Sequence, residues 1–504
     1  MNRTKKVGAI LLYCVTVLNL LISVFLTPFI LSCLGDSEYG VYRTVQALTG
    51  QLGLISLGLG TIASVFLAKY NARTDERVAV ERENFMAMGM IIATAISCIV
   101  FVVGMGLYLF VDDIYAKTMN AEQLGLVRKM FVVLVANMAL HMFDDIFQGA
   151  LRGYERFVFS NGAKVARLLL RAAVIVVLLN MGFGALALVW CDLALTIALV
   201  LCDVGYCFGI LKLKAKFHYW DKALFGAVFS FSFAMFLQAI VNQVNQNLDN
   251  VILGATIALE RVAVYSLALT IYSAFCVLTS SMTSLFTPQA ARIVQCNPTQ
   301  SSLMEFVIKV GRLQCAVACL IAGGFLAAGR QFVSVWVGAE RMDVFYLILI
   351  LILPAGIAAM LSGANCVLDG YMKRLGRSAI MIVTAAINLV SSLILIQFLD
   401  YWGAAIGTAL SVVLGQVFAM CLHYRRVFGF KPLTFFCKTF RGILPCVLLA
   451  QIVTIPLSYL SLDESILLLI KGAAYVVVYG AGLWLFGLNE EEKRGLIGRA
   501  VKQK

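Results

Sequence analysis

The sequence is short of charge. Only 13% of its 504 residues are Asp, Glu, Lys or Arg, against about 25% in an average soluble domain. Hydrophobic residues make up 61% and the mean hydropathy is +0.92. That balance excludes a soluble globular chain and predicts a membrane protein. No long polar insert interrupts the apolar runs, so nearly all of the chain is expected in or beside the bilayer. Catalytic signatures are missing as well: there is no H-E-x-x-H, no Walker A loop, no G-x-S-x-G and no metal-spaced ligand cluster. An ATP-driven pump and a membrane hydrolase are thereby disfavoured, neither cofactor nor metal is expected, and the protein reads as a non-enzyme. Fourteen cysteines are present, yet none form C-x-x-C. Most sit inside apolar runs, where they read as small packing residues.

What is there is a succession of apolar segments, each near the roughly 20 residues that a spanning helix needs. Hydropathy predicts about fourteen spans: 8–32, 39–68, 86–111, 130–151, 157–180, 184–210, 223–247, 262–287, 305–329, 344–367, 378–399, 403–424, 437–459 and 464–487. The first of them superficially resembles a signal peptide. Its apolar run is too long for one and lacks a small-residue cleavage site, so it is kept as a span.

The positive charges test that count. With the N-terminus placed inside and the spans alternating, the inner segments hold 30 of the 40 Lys and Arg, from Arg3, Lys5 and Lys6 to five in the tail after Leu488. The outer loops hold six: Lys117, Arg128, Lys129, Arg261, Arg330 and Arg341. Four remain within spans. Such a bias predicts an even number of spans with both ends cytoplasmic. The net charge of +13 is then mostly topology, with attraction to anionic lipid headgroups as its by-product. It gives no argument for nucleic acid.

An internal repeat is also present. Tyr42 precedes Lys69 by 27 residues, and Tyr265 precedes Arg292 by the same distance. ALRGYERFVFSNGAK around Gly153 and Tyr154 matches VLDGYMKRLGRSAIM around Gly370 and Tyr371, and the two offsets, 223 and 217, agree within a small gap. The expected architecture is all-α. A six-span N-lobe at 1–211, a basic linker at 212–222 and a six-span C-lobe at 223–424 surround a central cavity. An added pair of spans at 437–487 and a tail at 488–504 follow. Six is even, so the lobes insert the same way round, which suits a carrier working by alternating access.

With Pro28, LGDSEYGVY at 34–42, GLISLGLGTIASVFLAKY at 53–70, RGYERF at 152–157 and the twelve-plus-two layout together, the sequence resembles the polysaccharide flippases. These form the O-antigen-transporter branch of the multidrug/oligosaccharidyl-lipid/polysaccharide exporter superfamily. The resemblance covers essentially the whole chain. It implies transfer of undecaprenyl-diphosphate-linked oligosaccharide across the cytoplasmic membrane through a cationic cavity, driven by H⁺, Na⁺ or the membrane potential. The partners it implies are that lipid-linked substrate, the bilayer and glycan-assembly proteins.

Candidate site residues follow from the cost of ionisable groups inside a span. Lys164, Arg167 and Arg171 on span 5 are spaced i, i+3, i+7, which puts three cations on one face. Clustered cations suit a diphosphate, whose oxygens Arg grips bidentately. The competing reading is that Asp144 and Asp145 on span 4 neutralise them while Lys164 snorkels to the inner face. The 217 offset maps the stripe onto Met381, Thr384 and Asn388, so it belongs to one lobe only. Gln238, Asn242, Asn245 and Gln246 on span 7 offer amides for sugar hydroxyls, or for bonding between helices. Arg43 is a gate or phosphate contact, or else snorkels outward or pairs with Asp36 or Glu38. Lys471 is a similar in-span cation. His141 beside the two aspartates could relay a proton, or be a packed histidine. The glycines of span 2 read first as packing residues.

Two rivals remain. A drug or organic-cation antiporter of the same superfamily resembles a twelve-span protein with a carboxylate in its first span, and span 1 here has none. An O-antigen polymerase or ligase needs a large outer loop, and the longest here runs only from about Val111 to Lys129.

Overall fold

The computed structural model describes residues 3–56, 59–71, 77–220, 226, 249–283, 286–295, 299–371, 374–460, 462–490 and 492–493. Every regular element among the described residues is helical. Among the described residues ten helices are long and apolar enough to cross a bilayer, or eleven if the bent pair Pro432–Phe440 and Ile443–Tyr459 is one span. The sequence reading expects fourteen, and three of its spans account for the difference. Spans 1 and 2 are two helices that meet at a kink at Gly35 within one 48-residue helical stretch, α1, Arg3–Gly50, and so count once. Span 5 is too charged to count as apolar. Span 7 lies at 223–247, almost wholly outside the described residues.

Helix α1 is broken at one place. Gly35 has φ 75° and ψ 169°, a conformation open to glycine and strained for other residues. Nothing lies within 4 Å of where its Cβ would stand, so backbone geometry rather than crowding calls for glycine there. Span 2 is not the continuous helix 39–68 that its hydropathy suggests. After Gly50 it tightens into a 3₁₀ segment, Gln51–Ser56, and resumes as α2, Leu59–Asn71. Hydropathy cannot register such a break, because the interrupting residues are themselves apolar.

The chain divides into two compact units, Met1–Ser266 and Leu267–Lys504; the basic stretch 212–222 falls within the first. That unit continues through α3 (Val78–Tyr108), the short α4 (Val111–Tyr115), α5 (Ala121–Gly153), α6 (Phe157–Asn180) and α7 (Ala185–Gly205). A capping box opens α5. The Gln123 amide donates to Asn120 Oδ1 at 2.8 Å, and the Asn120 amide to Gln123 Oε1 at 2.9 Å, which satisfies two otherwise unpaired donors.

Helices α2 and α5 meet along a seam of small residues. A Cβ on Gly60 would stand 2.7 Å from the Asp145 carbonyl oxygen, and one on Gly153 2.8 Å from Leu67 Cβ. Gly149 packs against Gly60 and Ala63. With Gly149 and Gly153 four apart, this is the close approach that small-xxx-small spacing permits in membranes.

After α8 (Leu259–Thr283) and α9 (Thr287–Gln295), the second unit repeats the element order of the first. The long α10 (Gln300–Val337) corresponds to α3, and α11 (Asp343–Met360) with α12 (Ser362–Gly370) to α5. Both of these helical stretches end on the glycine of a Gly-Tyr pair, Gly153-Tyr154 and Gly370-Tyr371. Helix α13 (Arg374–Leu399) matches α6, and α14 (Tyr401–Ser411) with α15 (Met420–Phe428) matches α7. The last elements are α16 (Pro432–Phe440), α17 (Ile443–Thr454) and α18 (Glu464–Gly482).

Arg312 on α10 ties this end of the chain together. Its guanidinium donates to Glu492 at 2.8 and 3.2 Å, to the Lys438 and Arg441 carbonyls at 3.0 and 2.9 Å, and to the Gly487 carbonyl at 2.5 Å. All three guanidinium nitrogens are engaged. Thirteen cysteines among the described residues are free thiols.

Candidate functional site

The first unit encloses a cavity of about 430 Å³. Helix α5 contributes Asn137, His141, Asp144, Asp145, Gln148 and Arg152 to its wall, α6 contributes Lys164, Arg167 and Arg171, and α7 contributes Asp192. The three cations of α6 therefore face one space. Arg171 lies fourteen residues beyond Phe157, about 21 Å along the helix at 1.5 Å per residue, which is deep in a membrane.

The three are not held alike. Arg171 forms a two-point pair with Asp192, Nε to Oδ1 at 2.5 Å and Nη2 to Oδ2 at 3.0 Å, and also donates to Tyr42 Oη at 3.3 Å. Tyr42 in turn accepts from Gln46 Nε2 at 2.7 Å. Arg167 donates to the neutral Thr196 hydroxyl at 2.9 Å, and its buried Nε has no hydrogen-bond partner among the described residues. Lys164 makes no hydrogen bond or ion pair with a described residue. Asp144 and Asp145 make no ion pair within 4.0 Å with any of the three among the described residues, yet both line the same cavity and act on Lys164 electrostatically. The carboxylate in direct contact with the stripe is Asp192, one helix further on.

Why Asp192 and Thr196 meet these arginines is a matter of register. Helices α6 and α7 form an antiparallel hairpin around the turn at Met181 and Gly182, and Gly182 takes a φ of 82° there. Arg171 and Asp192 stand equally far from that turn, and so do Arg167 and Thr196. Ser160 and Asp203 are also equidistant, and Gln148 joins them: Ser160 Oγ donates to Gln148 Oε1 at 2.9 Å, and Gln148 Nε2 donates to Asp203 Oδ2.

Asp203, like Asp192, was outside the residues singled out from the sequence. Both are in-membrane carboxylates, which was the available signal. Asp203 and Asp144 are 0% and 2% exposed, and the two buried carboxyl groups are near enough to act on one another electrostatically. The Oδ1 atom of each accepts from no N–H or hydroxyl. Two neighbouring buried carboxylates repel one another unless one of them holds a proton. His141 lines the same cavity, exposed and without a hydrogen bond to a described residue, and is not the packed histidine weighed as its alternative.

A second cavity of about 320 Å³ is lined by Arg43, Gln46 and Asn250, and shares Asn137 and Asp192 with the first. Arg43 Nε is buried there without a partner. It pairs with neither Asp36 nor Glu38 among the described residues. Glu38 instead accepts from the Ala185 amide at 2.6 Å, placing a carboxylate at the positive end of α7. Gln238, Asn242, Asn245 and Gln246 lie outside the described residues.

The second unit treats the corresponding positions differently. Thr384 and Asn388 are fully buried, and Gly415 and Gly407 of the following segment press against Thr384 and Ser392. What is a polar wall in the first unit is a packed helix seam in the second.

The class of protein is now defined: a multi-pass helical membrane protein with the fold of the MOP superfamily. The solved lipid II flippase MurJ in an inward closed conformation superposes with a TM-score of 0.72 over 94% of this chain and 97% of that one, at 14% identity. An inward-facing multidrug resistance MATE family transporter of the MOP superfamily gives 0.63 over 82% and 96%, at 13% identity. At these identities the likeness is one of fold. The family is given by the sequence itself: the profile described as "Polysaccharide biosynthesis protein" matches residues 5–293, more than half of the chain, and the chain belongs to that family. It is also 21% identical to the uncharacterized membrane protein EpsK of Bacillus subtilis (strain 168), across 97% of this chain and 96% of that one.

Proposed function

We propose that the protein is a flippase that carries lipid-linked oligosaccharide, on an undecaprenyl-diphosphate anchor, across the cytoplasmic membrane for surface polysaccharide assembly. The observation that carries this reading is the state of Arg167 and Lys164. Two cations face a membrane-embedded cavity with no carboxylate paired to either. An unpaired buried cation is costly, and an incoming diphosphate would relieve that cost with charge-assisted bonds. Arg171, held by Asp192, supplies a third positive group whose partner can change from carboxylate to phosphate. Arg43 lines the adjoining space and extends the same chemistry. The amides of Gln238, Asn242, Asn245 and Gln246 are assigned to sugar hydroxyls, as donors and acceptors both.

Alternating access of the two repeats is the proposed mechanism, with both termini cytoplasmic. H⁺ is the proposed coupling ion. Asp144 is its seat, paired with Asp203, while Asp145 and His141 line the route through the cavity. The MATE-like fold would also suit a drug antiporter, but a cavity with unpaired cations repels cationic drugs.

Arg167→Ala is the clean test, because Arg167 has no charged partner to strand. Glycan export should fall at least tenfold, a loss of about 1.4 kcal/mol or more, while membrane abundance stays normal. Lipid-linked oligosaccharide should accumulate on the inner leaflet. Export at the parental rate in this variant would remove the phosphate assignment.

A further inference from the structure

The second unit holds a separate cationic cavity. It measures about 220 Å³ and is lined by Arg330 and Gln331 of α10, Gln451 and Thr454 of α17, Ser458 beyond it, and Lys471 of α18. Lys471 is 5% exposed. Its ammonium donates to Gln331 Oε1 at 3.1 Å and Ser458 Oγ at 2.9 Å, both neutral, and a lysine has three such donors. Arg330 donates to Tyr346 Oη at 2.7 Å, and its guanidinium lies 5.7 and 5.6 Å from the Phe345 and Tyr346 ring centres. One face is thus steered by aromatic contacts, and the remaining N–H groups stay available. Among the described residues no carboxylate lines this cavity, although Glu464 at the start of α18 acts on Lys471 electrostatically. Its lining carries two positive charges, Arg330 and Lys471.

Depth identifies the occupant. Helix α10 has 38 residues, about 57 Å, against a bilayer of about 40–45 Å with its headgroups. Its ends project beyond the membrane, and Arg330, seven residues before Val337, falls at the headgroup layer. Lys471 is likewise seven residues inside α18. On the flanks, Leu326 and Ile455 are 50% and 56% exposed, apolar surface that acyl chains would cover. The charge distribution assigns this end of the unit to the outer leaflet.

We propose that Arg330 and Lys471 bind the phosphate of an anionic lipid headgroup in the outer leaflet, at a site separate from the cavity of the first unit. The ligand is a phosphate ester with net negative charge; the guanidinium and ammonium grip its oxygens, and the exposed leucine and isoleucine contact its chains. A free phosphate ion shares the headgroup chemistry and lacks the chains.

The test is native mass spectrometry of the full chain in detergent, with phosphatidylglycerol as the probe, phosphatidylcholine as the uncharged comparator and sodium phosphate as the competitor. The parent should retain one more phosphatidylglycerol than phosphatidylcholine per chain. Lys471→Met should weaken that retention at least tenfold. Arg330→Gln, at an exposed position, should weaken it several-fold with no change in thermal unfolding, and so remains informative if Lys471→Met misfolds. Retention in Arg330→Gln equal to that of the parent would overturn the proposal. Displacement of the lipid by millimolar phosphate would overturn its assignment to a lipid headgroup.

Discussion

Arginines in this chain fall into two physical kinds, and hydrogen-bond saturation separates them. Arg312 engages Glu492 and three carbonyls, which leaves it nothing to offer a ligand. Arg167 has one neutral partner and a buried Nε without any. Arg171 stands between them, because its bond to Asp192 can be exchanged. Removing Arg171 alone would leave the Asp192 carboxylate buried and uncompensated, at about 3–5 kcal/mol. Arg171→Ala should therefore lower membrane abundance as well as export. The double change Arg171→Ala with Asp192→Asn should restore abundance on immunoblots and leave export impaired. Restored export in the double variant would show that Arg171 serves only to balance its aspartate. The cations themselves were legible from the spacing of Lys164, Arg167 and Arg171. Their partner was sought on α5, because depth alone does not say which neighbour a side chain faces. The turn at Met181 and Gly182 carried the missing information: in so tight a hairpin, residues equidistant from it oppose one another, which selects Asp192.

At the scale of elements, α2 owes its place to the seam with α5. Gly60 and Gly149 are close enough that a side chain on either meets backbone or a packed residue. Because that seam also sets the position of Asp145, whose carbonyl lies against Gly60, packing and site are coupled through one helix. Gly60→Val forces apart two backbones rather than a flexible side chain, an overpacking cost of about 1–3 kcal/mol. Thermal unfolding of the purified variant should begin lower than in the parent, and export should drop with it. Gly106→Val, where nothing lies within 4 Å of the Cβ position, should leave both unchanged. An unaltered melting profile in Gly60→Val would mean that α2 is not held by this contact. The sequence announced the glycines of span 2, and packing was their first reading. It did not announce that the span breaks at 51–56, since QLGLIS is as apolar as a continuing helix would be.

For the whole molecule, the repeat has consequences that neither a residue nor an element shows alone. Two units share an element order down to their Gly-Tyr helix ends, yet only the first carries cations far along the helix after that pair, at Lys164, Arg167 and Arg171, whereas the second keeps Arg374 and Arg377 in its first turn. Symmetric architecture with asymmetric charge favours the proposed placing of substrate in the first unit, since the counterpart positions Thr384 and Asn388 are sealed into a helix seam. The same argument extends to orientation. Thirty Lys and Arg against six is a bias far larger than one misplaced loop could produce, and inner-face loops retain such residues because translocating them is disfavoured. This bias predicts that Lys117 and Lys216 lie on opposite faces of the membrane. With Lys117→Cys, a membrane-impermeant maleimide should add label to intact cells above the level of the parent chain, whose native thiols supply the background. With Lys216→Cys, label above that background should come only after permeabilisation. Labelling in the reverse order would invert the whole chain, and the cationic cavity would then open first to the wrong leaflet for a substrate assembled on the cytoplasmic side.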